Sequence, residues 1–258
     1  MASEPGQFIW YELLTNDVDS ALRFYNSVIG WTARDSGTPG MDYRILSAQD
    51  AMIGGLMTIP PEAAEKGMPP MWLGYLKVDD VDETVARVQH AGGGLHYPAT
   101  DIPGVGRFAA VADPQGAAIY VMAPSTTEGV SKAFAPGSLG HVGWNELHTS
   151  DWQAAFAFYG AEFGWGEADA LDMGPMGTYL LFHAGADAIG GMMNDPDAAL
   201  PYWMFYFIVD TIDSAKARLE AAGGRVLHGP QQVPGGGWVL HALDPQGAMF
   251  ALVAPVKA

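Results

Sequence analysis

The sequence predicts an α+β protein made of one unit written twice, and three observations carry that reading. First, WYELLTNDVDSALRFYNSVIGW (10–31) returns as WNELHTSDWQAAFAFYGAEFGW (144–165), with Trp10, Glu12, Thr15, Asp17, Phe24, Tyr25, Gly30 and Trp31 each repeated at a constant offset. Second, the glycine pair of AMIGGLM (51–57) recurs in AIGGMM (188–193), and DPQGA (113–117) recurs at 244–248. Third, apolar spacing within each copy switches between the period of a strand and that of a helix.

Taken in order, FIWYELLT alternates with strand period, and Asp17 can cap a helix with the apolar face Ala21, Leu22, Phe24, Tyr25, Val28 and Ile29. Gly30 ends that helix, and three short strands come next around Trp31, YRIL and AMIGGLM. A Pro-rich loop is expected over 60–70. MWLGYLKV then reads as a strand, and DDVDETVARVQHAGG as a helix with Asp80 and Glu83 in capping-box spacing. GLHYP, GRFAAVAD and AAIYVM supply three more strands. Each copy is thus strand, helix, three strands, said twice. The expected boundaries are 1–123 for the first domain, 124–140 for a linker rich in Pro, Gly, Ser and Thr, and 141–258 for the second domain.

Composition narrows the function classes. The chain has 258 residues, 49% hydrophobic and 16% charged, which suits a packed globular protein. Lys+Arg 12 against Asp+Glu 29 gives a net charge of −17, with no local basic patch, so phosphate-backbone binding is not expected. Cysteine is absent, which removes disulfides, thiolate metal sites and cysteine nucleophiles together. MASEPGQFIW lacks the pattern of a secretory signal, and no apolar run approaches membrane-spanning length. A cytoplasmic protein with a small-molecule partner, and neither nucleic acid nor membrane, is the expectation; oligomeric state is left open. No GxSxG, P-loop or strand-borne GxGxxG is present, and DPQG is a turn signal first.

The element order, with FYxxxxGW ending the first helix and DPxGxxxxV entering the last strand, resembles the vicinal oxygen chelate superfamily of glyoxalase I, bleomycin-resistance proteins and extradiol dioxygenases. The resemblance covers nearly the whole chain twice. More narrowly, the tandem arrangement with DIPGVGRFAAVADPQGA looks like two-domain bacterial proteins called glyoxalase-like. It implies two paired βαβββ modules per domain, curling a mixed sheet into a cup. It also implies, in metal-using members, ligands on the first and last strands of each module. Those positions fall at Trp10, Gly55, Leu73 and Tyr120 in the first copy, and at Trp144, Gly191, Met204 and Ala251 in the second. None holds an ordinary divalent metal, and the neighbouring residues rescue nothing, so no metal and no cofactor are expected. A glycine at such a position either leaves the floor of the cup bare for a ligand's flat face, or marks a bulge in a strongly curled sheet. Duplication alone would copy the glycines, so recurrence does not decide.

Strand alternation gives the inward-facing candidates. Trp10, Tyr43, Gly55, Tyr75, Tyr120, Trp144, Tyr179, Gly191, Met204 and Tyr206 form an aromatic, largely apolar lining suited to a small flat molecule, or equally to core packing. Trp72 and Trp203 are expected to point to the helix side. Glu12, Glu146 and His148 are the candidates for acid–base chemistry. Glu146 and His148 lie two apart on one strand, hence on one face at about 7 Å between Cα atoms. The same glutamates also suit hydrogen bonds to backbone or tyrosine hydroxyls. Arg107 could reach over the cup mouth toward an anion, while His183, His228 and His241 belong to no evident constellation. The residues support three readings: a metal-independent binding protein of this superfamily, a metal-free isomerase or lyase using Glu146 and His148 with Glu12, and a metal-dependent glyoxalase or dioxygenase.

Overall fold

The computed structural model describes residues 3–38, 40–126 and 130–258; within the expected linker, 127–129 lie outside the described residues. The first copy runs β1 (Phe8–Thr15), α1 (Val18–Ile29), β2 (Thr32–Asp35), β3 (Tyr43–Ala48), β4 (Ala51–Thr58), α2 (Pro61–Glu65), β5 (Met71–Lys77), α3 (Val81–His90), β6 (Gly94–Ile102), β7 (Gly106–Ala112) and β8 (Ala118–Pro124). The second repeats it as β9 (Val142–Thr149), α4 (Trp152–Phe163), β10 (Gly166–Asp172), β11 (Thr178–His183), β12 (Ala188–Asn194), β13 (Tyr202–Ile208), α5 (Ile212–Ala221), β14 (Arg225–Gln232), β15 (Trp238–Leu243) and β16 (Met249–Ala254), with a short 3₁₀ turn at Gly174–Met176. Two mixed sheets of eight strands result, ordered β2-β3-β4-β1-β5-β8-β7-β6 and β10-β11-β12-β9-β13-β16-β15-β14. The first strand of each module pairs in parallel with its last, as in β1 with β4 and β9 with β12, and the hairpins between are antiparallel.

Local chemistry explains the helix limits. Asp17, Asp80 and Asp151 each accept a backbone N–H three residues on, from Ser20, Glu83 and Ala154. Gly30 and Gly164 close α1 and α4 in the left-handed conformation, at φ 89° and 72°. The expected loop over 60–70 instead contains α2. Its first-turn proline loses no hydrogen bond there and has its φ preset for the helix.

The chain packs as two compact units. One comprises Met1–Ile9, Leu73–Ser131 and Trp144–Trp203; the other comprises Trp10–Trp72, Lys132–Gly143 and Met204–Ala258. Each joins a module from one sequence copy to a module from the other, and the recurrent motifs are what lock them. In the first unit, α3 packs on α4, and the Tyr159 hydroxyl donates to Asp113 Oδ2 at 3.3 Å while accepting from Trp203 Nε1 at 3.3 Å. The other carboxylate oxygen of Asp113 accepts the backbone N–H groups of Gln115, Gly116 and Ala117, so DPQG is the turn expected of it. The Gln115 carboxamide accepts from Thr149 Oγ1 and Asp151 N–H at 2.7 and 2.8 Å and donates to Asp151 O at 2.7 Å, clamping the entry to α4. Trp165 stacks on Tyr159 at 4.6 Å and donates to Gly6 O.

The second unit repeats the lock. Tyr25 donates to Asp244 Oδ2 at 3.2 Å and accepts from Trp72 Nε1 at 2.9 Å, and Gln246 clamps Asn16 and Asp17. Trp31 donates to Gly140 O at 2.7 Å. Trp72 and Trp203 therefore face the helices, as expected. Burial raises the pKa values of Asp113 and Asp244, against the lowering effect of the N–H groups they accept.

Candidate functional site

Strand β9 carries Trp144, Glu146 and His148 on one face, and Tyr179 of β11 leans across Gly191 of β12 to meet them. Tyr179 is paired in register with Met193, so Gly191 lies diagonally from it, within reach of an aromatic ring. A Cβ at Gly191 would overlap that ring, and one at Gly55 would overlap Tyr43 in the same way. Of the two readings the sequence leaves open, the bare floor does not hold, because the phenol of a neighbouring strand takes the space. The ladder does shift register beside each pair, between Leu46 and Ser47 and between Phe182 and His183. Their partners Gly54 and Gly190 meet the carbonyl oxygens of Tyr11 and Asn145, so a side chain there would strike backbone. The sheet requires both glycines of each pair for its own packing.

A continuous chain of hydrogen bonds runs along this face within one unit. Trp144 Nε1 donates to the Tyr179 hydroxyl at 2.7 Å, which donates to Glu146 Oε2 at 2.6 Å. Glu146 Oε1 lies 2.8 Å from His148 Nε2, and His148 Nδ1 lies 2.9 Å from Asp195 Oδ2. Tyr202 stacks flat on the His148 ring, with centroids 4.6 Å apart, and donates to the same Asp195 oxygen at 3.2 Å. Glu146 and His148 are each 7% exposed. Burial disfavours the imidazolium of His148, but hydrogen bonds and charges of Glu146 and Asp195 outweigh it and hold the pKa above its ordinary value. With both nitrogens protonated, His148 donates to one carboxylate on each side. Burial, then the charge on Glu146, pushes the Tyr179 phenol well up, and burial, then Asp195, does the same to Tyr202.

Asp195 and Tyr202 were not among the sequence candidates. Asp195 directly succeeds β12, whose parallel register sets Met193 beside His148 and Asn194 beside Thr149, a pairing that spacing along the chain does not report.

The remaining candidates are placed elsewhere on the two sheets. Trp10 donates to Tyr43 at 2.9 Å, and Glu12, 4% exposed, is the register partner of Gly55, repeating the inner half of the second copy's arrangement. Tyr75 and Tyr120 are packed at 4.5 Å between centroids, with Phe108 against both. Met204 is buried. Tyr206 bonds His241 Nε2 at 2.8 Å, and His228 lies 5.6 Å from His241 between centroids, so two histidines expected to stand apart are grouped by strand register. Arg107 pairs with carboxylates of its own fold: Asp82 binds it in a fork at 2.8 and 2.9 Å, and Asp101 at 2.9 Å. These carboxylates hold its guanidinium.

The donor set expected of a metal-using relative does not fit here. Trp144 and Gly191 offer no ligand lone pair, and both oxygens of Glu146, two residues on, are engaged by Tyr179 and His148. Among the described residues no group of three or more His, Cys, Asp or Glu side chains is arranged to hold a metal ion. No helix among them is long and apolar enough to cross a membrane.

Comparison with known proteins gives this geometry its family. The sequence profile of the Glyoxalase/Bleomycin resistance protein/Dioxygenase superfamily matches residues 7–121 and again 138–252. CFP32 of Mycobacterium tuberculosis, provisionally named a glyoxylase, is 35% identical over 249 residues, covering 95% of this chain and 94% of its own. The anthracycline biosynthesis protein DnrV of Streptomyces peucetius is 33% identical over 262 residues, covering 96% and 93%. Among solved structures, the Mn(II)-bound glyoxalase from Novosphingobium aromaticivorans superposes with TM-score 0.65 at 17% identity, over 99% of this chain and 84% of that one. Homoprotocatechuate 2,3-dioxygenase from Brevibacterium fuscum gives 0.68 at 17% identity, over 98% and 81%. At that identity the structures speak for the fold alone. With two profile matches spanning most of its length, the chain belongs to the Glyoxalase/Bleomycin resistance protein/Dioxygenase superfamily.

Proposed function

We propose that the protein binds a small, flat, largely apolar organic molecule without a metal, against the face that carries Trp144, Glu146, His148 and Tyr179. One observation carries the reading: where the superfamily resemblance implies metal ligands, this chain has a Trp–Tyr–Glu hydrogen-bond chain with the tyrosine laid over a glycine. A binding face of this kind supplies aromatic area for contact and a few fixed polar groups for orientation. The anthracycline biosynthesis relative supports a polycyclic aromatic ligand. Native mass spectrometry of the untreated purified protein tests it. A mass equal to the chain plus a small organic molecule is expected, and a stoichiometric divalent metal would overturn the metal-free reading.

A second reading is favoured by the position of His148 between two carboxylates at 2.8 and 2.9 Å. Glu146 and His148 would then move a proton on the bound molecule, with Asp195 fixing the imidazole. Glu146→Gln separates the two. Unchanged ligand affinity with turnover lost by roughly 10²-fold or more indicates catalysis, and weakened affinity alone indicates binding.

A further inference from the structure

The connection from β12 to β13, within NDPDAALPY (194–202), closes on one residue from both ends. At its start, Asp195 brings Oδ2 to 2.9 Å from His148 Nδ1. Just past its end, Tyr202 lays its ring on the His148 ring, with 4.6 Å between centroids and 8° between planes. The Tyr202 hydroxyl donates to the same Asp195 oxygen at 3.2 Å, which ties the two ends to each other. The other oxygen of Asp195 accepts the backbone N–H groups of Asp197 and Ala198, both at 3.2 Å, in the turn that an Asp-Pro pair favours. One carboxylate therefore carries the local fold of the connection on one oxygen and its attachment to His148 on the other. Leu200, the largest apolar side chain of the connection, is 74% exposed and adds little packing, so the anchor is polar. In the first copy the connection from β4 to β5 carries α2 instead, and Leu14, Ile59 and Met71 stand where His148, Asp195 and Tyr202 do.

The attachment depends on the charge of one ring. The titratable groups that meet His148 are Glu146 on its own strand, Asp195 after β12 and Tyr202 at the head of β13, while Tyr179 of β11 reaches it through Glu146. An imidazolium donates to both carboxylates. A neutral imidazole keeps one N–H and turns a lone pair on the other acceptor. The bond given up is the one to Asp195, whose side chain is 22% exposed against 9% for Glu146, because water replaces a lost donor more readily where it has access. Tyr202 does not compensate: burial, then the charge on Asp195, pushes its phenol pKa up, so it offers the same single proton throughout.

We propose that residues 195–202 form a clasp on the His148 end of the binding face, shut while His148 carries two ring protons and released at Asp195 when it carries one. Release frees the Nδ1 edge of a neutral imidazole, a group able to take a proton. Control of the face by pH is the consequence, and that consequence rests on the small-molecule reading above; the clasp itself needs no ligand. Burial disfavours the imidazolium, but the hydrogen bonds and charges of Glu146 and Asp195 outweigh it. The clasp is therefore shut below the ordinary value of 6.5 and opens as pH rises through the higher folded value.

The test follows the amide protons of Asp197 and Ala198 by NMR in the full chain without ligand, from about pH 6 to about pH 9, with each exchange rate divided by its unstructured value at that pH. Their protection should fall by about tenfold or more, as for loss of one hydrogen bond to a charged group, with the same midpoint as the His148 ring protons. His148→Gln has no ring to titrate, and its protection should not change with pH. Asp195→Asn should stay protected at high pH, because its Nδ2 donates to the lone pair of neutral Nδ1 while Oδ1 still accepts the two amides. Urea midpoints show whether each variant is folded, and either variant alone decides the matter. Wild-type protection that is constant with pH, or a fall that persists in His148→Gln or Asp195→Asn, would overturn the clasp. The binding reading has its own test in the mass of a co-purified molecule: such a molecule on a protein whose clasp ignores pH means a face that binds without this control.

Discussion

Gly191→Ala is a small change with a large expected effect, because its consequence passes through one ring. The added methyl would occupy space held by the Tyr179 phenol, so the ring must swing away. Swinging breaks the 2.7 Å bond from Trp144 and the 2.6 Å bond to Glu146. A neutral bond contributes about 0.5–1.5 kcal/mol and one to a charged group about 1.5–3 kcal/mol. Replacing glycine by alanine inside a strand returns about 0.5–1 kcal/mol. The net loss is therefore about 1–4 kcal/mol. With a urea m-value of about 1–3 kcal/mol per molar, the midpoint should fall by roughly 1 M. The decisive assay is a double-mutant cycle with Tyr179→Ala, read by urea denaturation and tryptophan fluorescence. In that background the methyl finds room, and Gly191→Ala should cost no more than about 0.5 kcal/mol, giving a coupling of about 1–3 kcal/mol. Additive effects would refute the claim that Tyr179 is the reason for the glycine.

Two further outcomes are expected. The folded pKa of His148 is raised, so its pairing stabilises the fold fully below the unfolded value near 6.5, and that stabilisation is lost as pH rises through the folded value. Urea midpoints should fall with pH above about 6.5, and His148→Gln, which leaves Glu146 and Asp195 without their shared cation, should abolish that slope; a slope unchanged in the variant would refute the assignment. Asp113 behaves in the opposite sense to a paired carboxylate. Its raised folded pKa means stability declines as pH rises from the unfolded value near 3.8 through the folded one, and Tyr159→Phe, by removing a donor to the ionised form, should steepen this decline and destabilise by about 1–3 kcal/mol in urea titrations between pH 4 and 7.

The fold was legible because duplication prints its signals twice. Asp17 and Asp151, Gly30 and Gly164, and the two DPQG turns are local devices whose effect lies within four residues, and local chemistry is what spacing reports. The site was legible only on its own strand. Glu146 and His148 share β9, so alternation found them; Asp195 joins them across 47 residues through the β9–β12 register, which no spacing reports. The Tyr206–His241 bond, across 35 residues, was missed for the same reason. Arg107 has acceptors of its own, Asp82 and Asp101, which the fold brings to it and its place at a loop mouth does not report. The glycines stay open to two readings in the sequence because strand alternation assigns a face to a side chain but says nothing of a neighbour leaning diagonally over it, or of the register shift beside each pair.

The two copies hold their locks constant and differ in what lines the sheets, and the differences come in sets. Where the second copy has His148, Asp195 and Tyr202, the first has Leu14, Ile59 and Met71. The correspondence is structural: Ile59 N–H bonds Thr15 O at 2.9 Å, as Asp195 N–H bonds Thr149 O at 2.8 Å. A histidine placed alone among Ile59 and Met71 would bury a polar group without partners, at about 1–3 kcal/mol. An aspartate placed alone there would bury a charge, which is worse. Each change is tolerable only beside the others, since Asp195 bonds both His148 and Tyr202. The same holds for His241, which gains a partner in Tyr206 only when the ring at Tyr120 has become Ala251. Packing needs neither set, because the first copy packs without them. The polar sets are therefore properties of the second copy as whole units, and the first copy supplies the apolar counterpart against which their contribution can be measured.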